Sequence, residues 1–468
     1  MNRRNLFTLS VVASVGLASS IVLNSQTRGA FLYEGARVIV GDGSPAIEGG
    51  AFVVQNGRIT EVGRKGSVTA PTGAVRVDLS GKTVMPTLNN VHLHIGYEGY
   101  TSWSVQNHTV DNIRDHLTRE AFYGVGAVMT MGDQPSDFAI ELRQNQEGGK
   151  FPGTARFLFA AGMAPPGGGP DSLLIQGTTP LHAVYEVTNA QEARTAVQAI
   201  AAKKISQIKI WVDDRDAKRG SLQKMSPEVY RAVVEESHKR GILVHAHATA
   251  LPDQKAVVNA GVDVLVHTVA GEKVDDEFLG ILKAKKPYWA PVMGLGDRPE
   301  ICEPGNQFVE QVLPASTIAD IREGRNAFKM PGCAAPSTPN EARREENLKF
   351  NFMRMIDAGA RLVLSTDAGI LPKYSFGSSE HHELWMYVNL GLPPAQAIVA
   401  ATSRPTEVLR LTDTGTIASG KRADFVVLDA NPLDNIRNSR QIHSVYLNGV
   451  KLDREKMLAG FRKPAAAP

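Results

Sequence analysis

Seven side chains in this 468-residue chain could serve a metal ion. His92 and His94 are two residues apart, a spacing that on a strand puts both imidazoles on one side, within reach of one cation. His245 and His247 repeat that spacing, His267 ends the apolar run VDVLVH, and Asp367 follows the run RLVLST. Lys209 lies inside IKIW, where an ammonium is costly unless it is paired or chemically altered. Taken singly, a histidine in such a run reads as a hydrogen-bonded core residue. Their recurrence at the ends of successive apolar runs reads as a metal centre.

Those runs have to be held by regular elements. Strand-like segments end at His94 and lie near 125–133, 155–162, 207–214, 242–248, 262–268 and 288–294, with a last one ending at Gly369; helix-like stretches such as SPEVYRAVVEESHKRG separate them. Eight alternations predict an α/β chain with a (β/α)8 TIM-like barrel over residues 85–415, whose strands' C-terminal ends surround the active site. A doubly wound sheet is the rival, but no Gly-rich phosphate turn follows the first strand. Short β-prone runs broken by Gly, Asp-Gly and Asn-Gly fill residues 30–84 and return in 416–460, so both chain ends are expected to build one small β-sandwich domain. The Pro- and Gly-rich stretch after Leu295, helical from about Asn340 to Met355, is a candidate lid.

Composition narrows the partners. The chain is 43% hydrophobic and 21% charged, which suits a globular core rather than disorder. Of 51 Lys and Arg, Arg3, Arg4 and Arg28 fall in the first 29 residues, which hold no acid, leaving 48 basic against 48 acidic side chains beyond. That balance argues against nucleic acid or an anionic membrane as a partner. Residues 1–29, with two arginines before an apolar stretch, are expected to be a signal peptide that is removed, leaving no stable membrane span and an exported, periplasmic or secreted protein. Arg3-Arg4 before Asn5-Leu6-Phe7 resembles a twin-arginine signal; a membrane anchor is the competing reading. Cys302 and Cys333 are too few for a disulfide scaffold, and whether they pair is left open.

PTLNNVHLH, IKIW, VHAHA, VLVHT, LSTDAG and the C-terminal run GTIASGKRADFVVLDANPLDN together resemble the amidohydrolase superfamily of binuclear-metal type, in its imidazolonepropionase-like, prolidase-like and ochratoxin-amidase-like branch. The resemblance implies two divalent metal ions, zinc first among them, held by His92, His94, a carboxylated Lys209 (a CO2-derived carbamate), His245, His267 and Asp367. It further implies hydrolysis by metal-activated hydroxide, with Asp367 as general base and then general acid. A single-metal site is the alternative if Lys209 is unmodified. In strand five either histidine could be the ligand; His245 is preferred because related hydantoinase-like enzymes carry the ligand directly after the apolar run, which leaves His247 as a substrate or outer contact. Two positions depart from the family pattern. Thr87 and Asn90 stand where the family commonly has Gly and Asp, so a carboxylate behind the ligands is missing, and the run from Met163 to Gly169 replaces a common Gly-His.

The substrate expected from this branch is a small-molecule amide or peptide, of dipeptide or N-acyl amino acid type, cleaved at its C–N bond. Cyclic amide or lactone hydrolysis is the nearest alternative, and a non-catalytic scaffold of the same superfamily is the alternative from another class. Tyr97, Tyr100 and Trp103 after the first metal motif, and Tyr374 and Phe376 after the last strand, could line an apolar pocket or merely pack the loops. His108, His182 and His381 read as ordinary surface histidines that could also bind a carboxylate. Homo-oligomerisation is compatible with the sequence and not required by it.

Overall fold

The structure, a computed structural model, describes residues 29–99, 102–168, 183–214, 223–296, 300–325, 332–334, 339–370 and 375–461. Five strands come first: β1 (Ala30–Val38), β2 (Ile47–Gln55), β3 (Arg58–Arg64), β4 (Val75–Asp78) and β5 (Thr83–Pro86). Eight more run parallel through the middle: β6 (Leu88–Leu93), β7 (Val125–Met131), β8 (Arg156–Ala164), β9 (Gln207–Trp211), β10 (Leu243–His247), β11 (Val264–Val266), β12 (Tyr288–Ala290) and β13 (Arg361–Leu362). The last three are β14 (Phe425–Leu428), β15 (Ile442–Leu447) and β16 (Val450–Lys451). Helices Val110–Phe122 (α1), Pro227–Lys239 (α2), Leu251–Ala260 (α3), Asp276–Lys285 (α4), Pro339–Asp357 (α5) and Ser378–Asn389 (α6) are among those that separate or follow the central strands.

The central strands pair in chain order, β6 to β13, as a curled parallel sheet of an α/β fold. Its two edges approach each other: Val91 N–H donates to Leu364 O (3.0 Å), His94 N–H to Ala368 O (2.8 Å), and the Thr366 and Asp367 amides to His92 O (3.1 and 3.0 Å). Strand periodicity decides which side chains enter the interior. Ile208 and Ile210 of β9, and Val244 and Ala246 of β10, join the large apolar cluster shared with the helices, which turns Gln207, Lys209, His245 and His247 the other way. The last strand is far shorter than the run ending at Gly369 predicts. Val363 still bonds to Trp289 O, but Asp367 takes a left-handed φ of 58°, so the backbone leaves the ladder where the carboxylate is presented.

Both chain ends do meet in one sheet: β14 pairs antiparallel with β5, and β5 lies beside β1. Alternation on β14 serves two cores, since Phe425 and Val427 enter the small-sheet cluster while Val426 and Leu428 join the main one. This sheet is strongly bent. Phe52 on β2 and Phe425 on β14 are three strands apart, about 14 Å in a flat sheet, yet their ring centroids lie 5.1 Å apart. In the candidate lid, helix α5 covers the predicted helical stretch, and Cys302 and Cys333 form a disulfide. No helix among the described residues is long and apolar enough to cross a membrane.

Two substitutions probe these features. Phe425→Ala removes a fully buried ring from the bent sheet and is expected to lower unfolding free energy by about 3–5 kcal/mol, read from the urea midpoint at constant slope. A Cβ at Gly369, where φ is +86°, would lie 1.7 Å from His94 O and 2.7 Å from the Phe376 ring. Gly369→Ala is therefore expected to cost more than the roughly 1–2 kcal/mol of its φ alone and to lower the thermal midpoint, whereas Gly280→Ala, inside helix α4 where an added Cβ meets open space, should hold or raise it.

Candidate metal centre

The candidate ligands come from five strands of the central sheet or the residues that follow them. His92 and His94 come from the end of β6, Lys209 from β9, His245 and His247 from β10, His267 directly follows β11, and Asp367 follows β13. All are buried. Asp367 Oδ1 is 3.0 Å from both His92 Nε2 and His94 Nε2, and its Oδ2 is 4.0 Å from His267 Nδ1. Ligand atoms of His92, His94 and Asp367 all lie within 4.8 Å of one another. Lys209 Nζ sits 3.4 Å from His92 Nε2 and 5.3 Å from the Trp211 ring, so the amine reaches the same centre. The rings of His92 and His267 are 5.5 Å apart and those of His247 and His267 4.3 Å. His267 and Asp367 both hold positive φ, 70° and 58°, a backbone strain found where surrounding structure imposes a functional geometry.

Outer partners orient these rings. Asp133 Oδ2 is 3.3 Å from His94 Nδ1 and also accepts the Ile95 N–H, while its Oδ1 accepts the Thr130 hydroxyl. Asp213 Oδ2 is 3.0 Å from His247 Nε2 and accepts the Thr249 hydroxyl at 2.8 Å. Gln207 Oε1 lies 2.8 Å from His245 Nε2. Sequence reasoning did not assign these three roles. Asp133 and Asp213 directly follow strand runs, and Gln207 shares the face of Lys209; those positions were the available signals.

Burial and charge tune the cluster. Burial, then the Lys209 charge, pushes His92 down to about 4, and the same two causes hold His245 well below the usual imidazole range. Burial followed by His247 lowers His267. Burial pushes the Asp367 carboxyl up, but the charges and hydrogen bonds of His92 and His94 outweigh it and keep the group well below the usual range. His92, His245 and His267 are thus neutral and the Asp367 carboxylate ionised, the states in which each can donate electron pairs to a cation. His92 Nδ1, His245 Nδ1, His247 Nδ1 and His267 Nε2 have no hydrogen-bond partner among the described residues, although buried. An unmet buried polar atom costs about 1–3 kcal/mol. A set of imidazoles, a carboxylate and an amine with such atoms fits divalent metal.

The predicted substrate contacts divide differently. Tyr97 is fully buried, stacks on Trp103 with centroids 5.1 Å apart, and donates its hydroxyl to Asp133 O; Trp103 Nε1 donates to Gly369 O at 3.0 Å. Both rings therefore brace the loops beside His94 and Asp367. Tyr100, Tyr374 and His182 lie outside the described residues. Phe376 stacks on His116, and His108 Nε2 meets Gln134 Oε1 at 2.8 Å. His381 is not a surface histidine: it is buried, with Ser439 Oγ and Tyr123 O each at 2.9 Å.

The chain is 23% identical over 448 residues to ochratoxinase of Aspergillus niger, covering 89% of this chain and 84% of that protein. It is 40% identical over 100 residues to imidazolonepropionase of Streptomyces griseus subsp. griseus, a match that spans 21% of this chain and only 23% of that enzyme. A solved Xaa-Pro dipeptidase with methionine bound in its active site has the same fold, with a TM-score of 0.70, 22% identity, and coverage of 91% of this chain and all of that one. Residues 83–452, well over half of the sequence, match the sequence model of the amidohydrolase family, and the chain belongs to that family.

Proposed function

We propose that this protein is a metal-dependent hydrolase that cleaves the C–N bond of a small amide, of dipeptide or N-acyl amino acid type. One observation carries the reading: His92, His94 and Asp367 converge within 4.8 Å in a buried interior that Lys209 also enters. The names of two relatives that align along most of the chain, an ochratoxinase and a Xaa-Pro dipeptidase, support an amide or dipeptide substrate. In this reading residues 85–415 form a closed (β/α)8 barrel, and residues 30–84 with 416–460 form a β-sandwich. The paired cysteines agree with export to an oxidising compartment after removal of residues 1–29.

The ligands are His92, His94, Lys209 as its carbamate, one histidine of β10, His267 and Asp367, and the metal is zinc, two ions per chain. Of the two β10 histidines we assign the ligand to His247 rather than to His245, the choice made from sequence. His247 lies against His267 and has the Asp213 carboxylate behind its Nε2, a partner that fixes an imidazole and raises its basicity, whereas His245 is turned toward the Gln207 amide. Bound divalent ions supply Lewis acidity, lowering the pKa of water and polarising a carbonyl oxygen. The chain supplies the rest. Asp367, kept ionised by His92 and His94, is the base that takes up a proton and later returns it to the departing amine. Asp133 and Asp213 hold His94 and His247 in orientation, and the buried interior keeps bulk water from the reacting bond.

Metal analysis of the purified protein is expected to give about two equivalents of zinc after growth with zinc; metal-free protein would favour a scaffold. Asp367→Asn should retain metal and lose at least about 10²-fold in kcat, on whichever of dipeptides, N-acyl amino acids, cyclic amides or lactones the native enzyme turns over. His247→Ala should lose a metal equivalent that His245→Ala keeps, and the opposite result returns the ligand role to His245.

A further inference from the structure

Asn90 stands two residues before His92, where a carboxylate is common in the family, yet the structure has a carboxyl group at that spot from another element. Asn90 Nδ2 donates to Glu380 Oε1 at 2.5 Å and to Thr366 Oγ1 at 2.8 Å, while Asn90 Oδ1 accepts the His92 N–H at 2.8 Å. Those partners fix the amide orientation, since only its nitrogen can face two oxygens and only its oxygen can accept the His92 amide. Thr366 Oγ1 lies 3.4 Å from Glu380 Oε1 and accepts the Ala368 N–H at 3.1 Å. A single oxygen of Glu380, on α6, thus gathers the side chains that brace the backbone amides of His92 and of Ala368, the residue after Asp367. Glu380, Asn90 and Thr366 are all buried.

Behind Glu380 stands Glu120 of α1, also fully buried. Neither Glu120 oxygen nor Glu380 Oε2 meets a hydrogen-bond donor of good geometry. Burial beside a second carboxyl group favours the protonated form of each. Burial, then the neighbouring Glu380 charge, pushes Glu120 well up; burial pushes Glu380 up to about 7.

We propose that Glu380 is a positioning residue for the metal centre, acting through Asn90 and Thr366 to hold the edge strand of His92 and His94 in register with the Asp367 segment. The inference rests on the metal-centre reading above. Zn2+ affinity, measured by competition with a chelating indicator, and the thermal midpoint of the metal-free protein test it together. E380A is expected to weaken Zn2+ binding about 10–100-fold. E380Q, whose carbonyl oxygen can still accept from Asn90, should bind within about threefold of the native protein. L384A, which truncates a buried apolar residue of the same helix, should lower the thermal midpoint and leave affinity within the same threefold range. Should E380A fail to fold, N90D should weaken Zn2+ binding, because it sets an acid against Glu380, and N90D/E380Q should restore it by reversing the donor and acceptor. Native affinity in E380A, no recovery in E380Q, or an equal loss in L384A overturns the proposal while leaving the metal centre intact. A native protein that takes up no zinc overturns both.

Discussion

The centre of this molecule is a cluster of imidazoles, an amine and a carboxylate buried away from bulk solvent, and that burial is the constraint everything else answers to. A buried ion or an unmet polar atom is costly. The protein meets the cost in two ways. It suppresses charge on the imidazoles, as with His92 at about 4, and it supplies an outer partner for one edge of several rings, Asp133 for His94 and Asp213 for His247. The edges left over form a group that could hold a cation.

Geometry on that scale requires a scaffold that does not give. Strands β9 and β10 present alternate residues to opposite sides, so the same few residues that seal the sheet against its helices, Ile208, Ile210, Val244 and Ala246, also aim Lys209 and the paired histidines inward. The small sheet adds rigidity from outside. Its strand β14 contributes Val426 and Leu428 to the main core and Phe425 and Val427 to its own, so neither part can shift without disturbing the other.

The edge where β6 meets the segment after β13 is the least regular part of the sheet and carries half of the proposed ligands. Register shifts interrupt β6, β13 is only two residues long, and Asp367 lies in the left-handed region. Regular ladder bonds are therefore few there. Side chains take over, with Asn90 and Thr366 meeting at Glu380 and Trp103 bonding to Gly369 O. A carboxyl group delivered from a distant helix can perform a local task because a hydrogen bond depends on position, not on chain order.

The alternating class of the fold, the union of the two chain ends in one sheet and the candidates His92, His94 and Asp367 that the structure brings together were legible in the sequence. Period-two spacing and apolar runs are local properties, and a charged residue inside such a run advertises its own cost. Helix α5 was legible for the same reason. Other features depended on distances between residues far apart in the chain. Whether Cys302 meets Cys333, which β10 histidine has a carboxylate behind it, and that Tyr97 and Trp103 brace loops are matters of approach in space. His381 offers the plainest case: its helix-start position looked exposed, and only the packing of α6 against Tyr123 and Ser439 buried it. Glu380, 290 residues from Asn90 along the chain, carried no local mark at all, because its partners are set by where α6 docks and not by its neighbours in sequence.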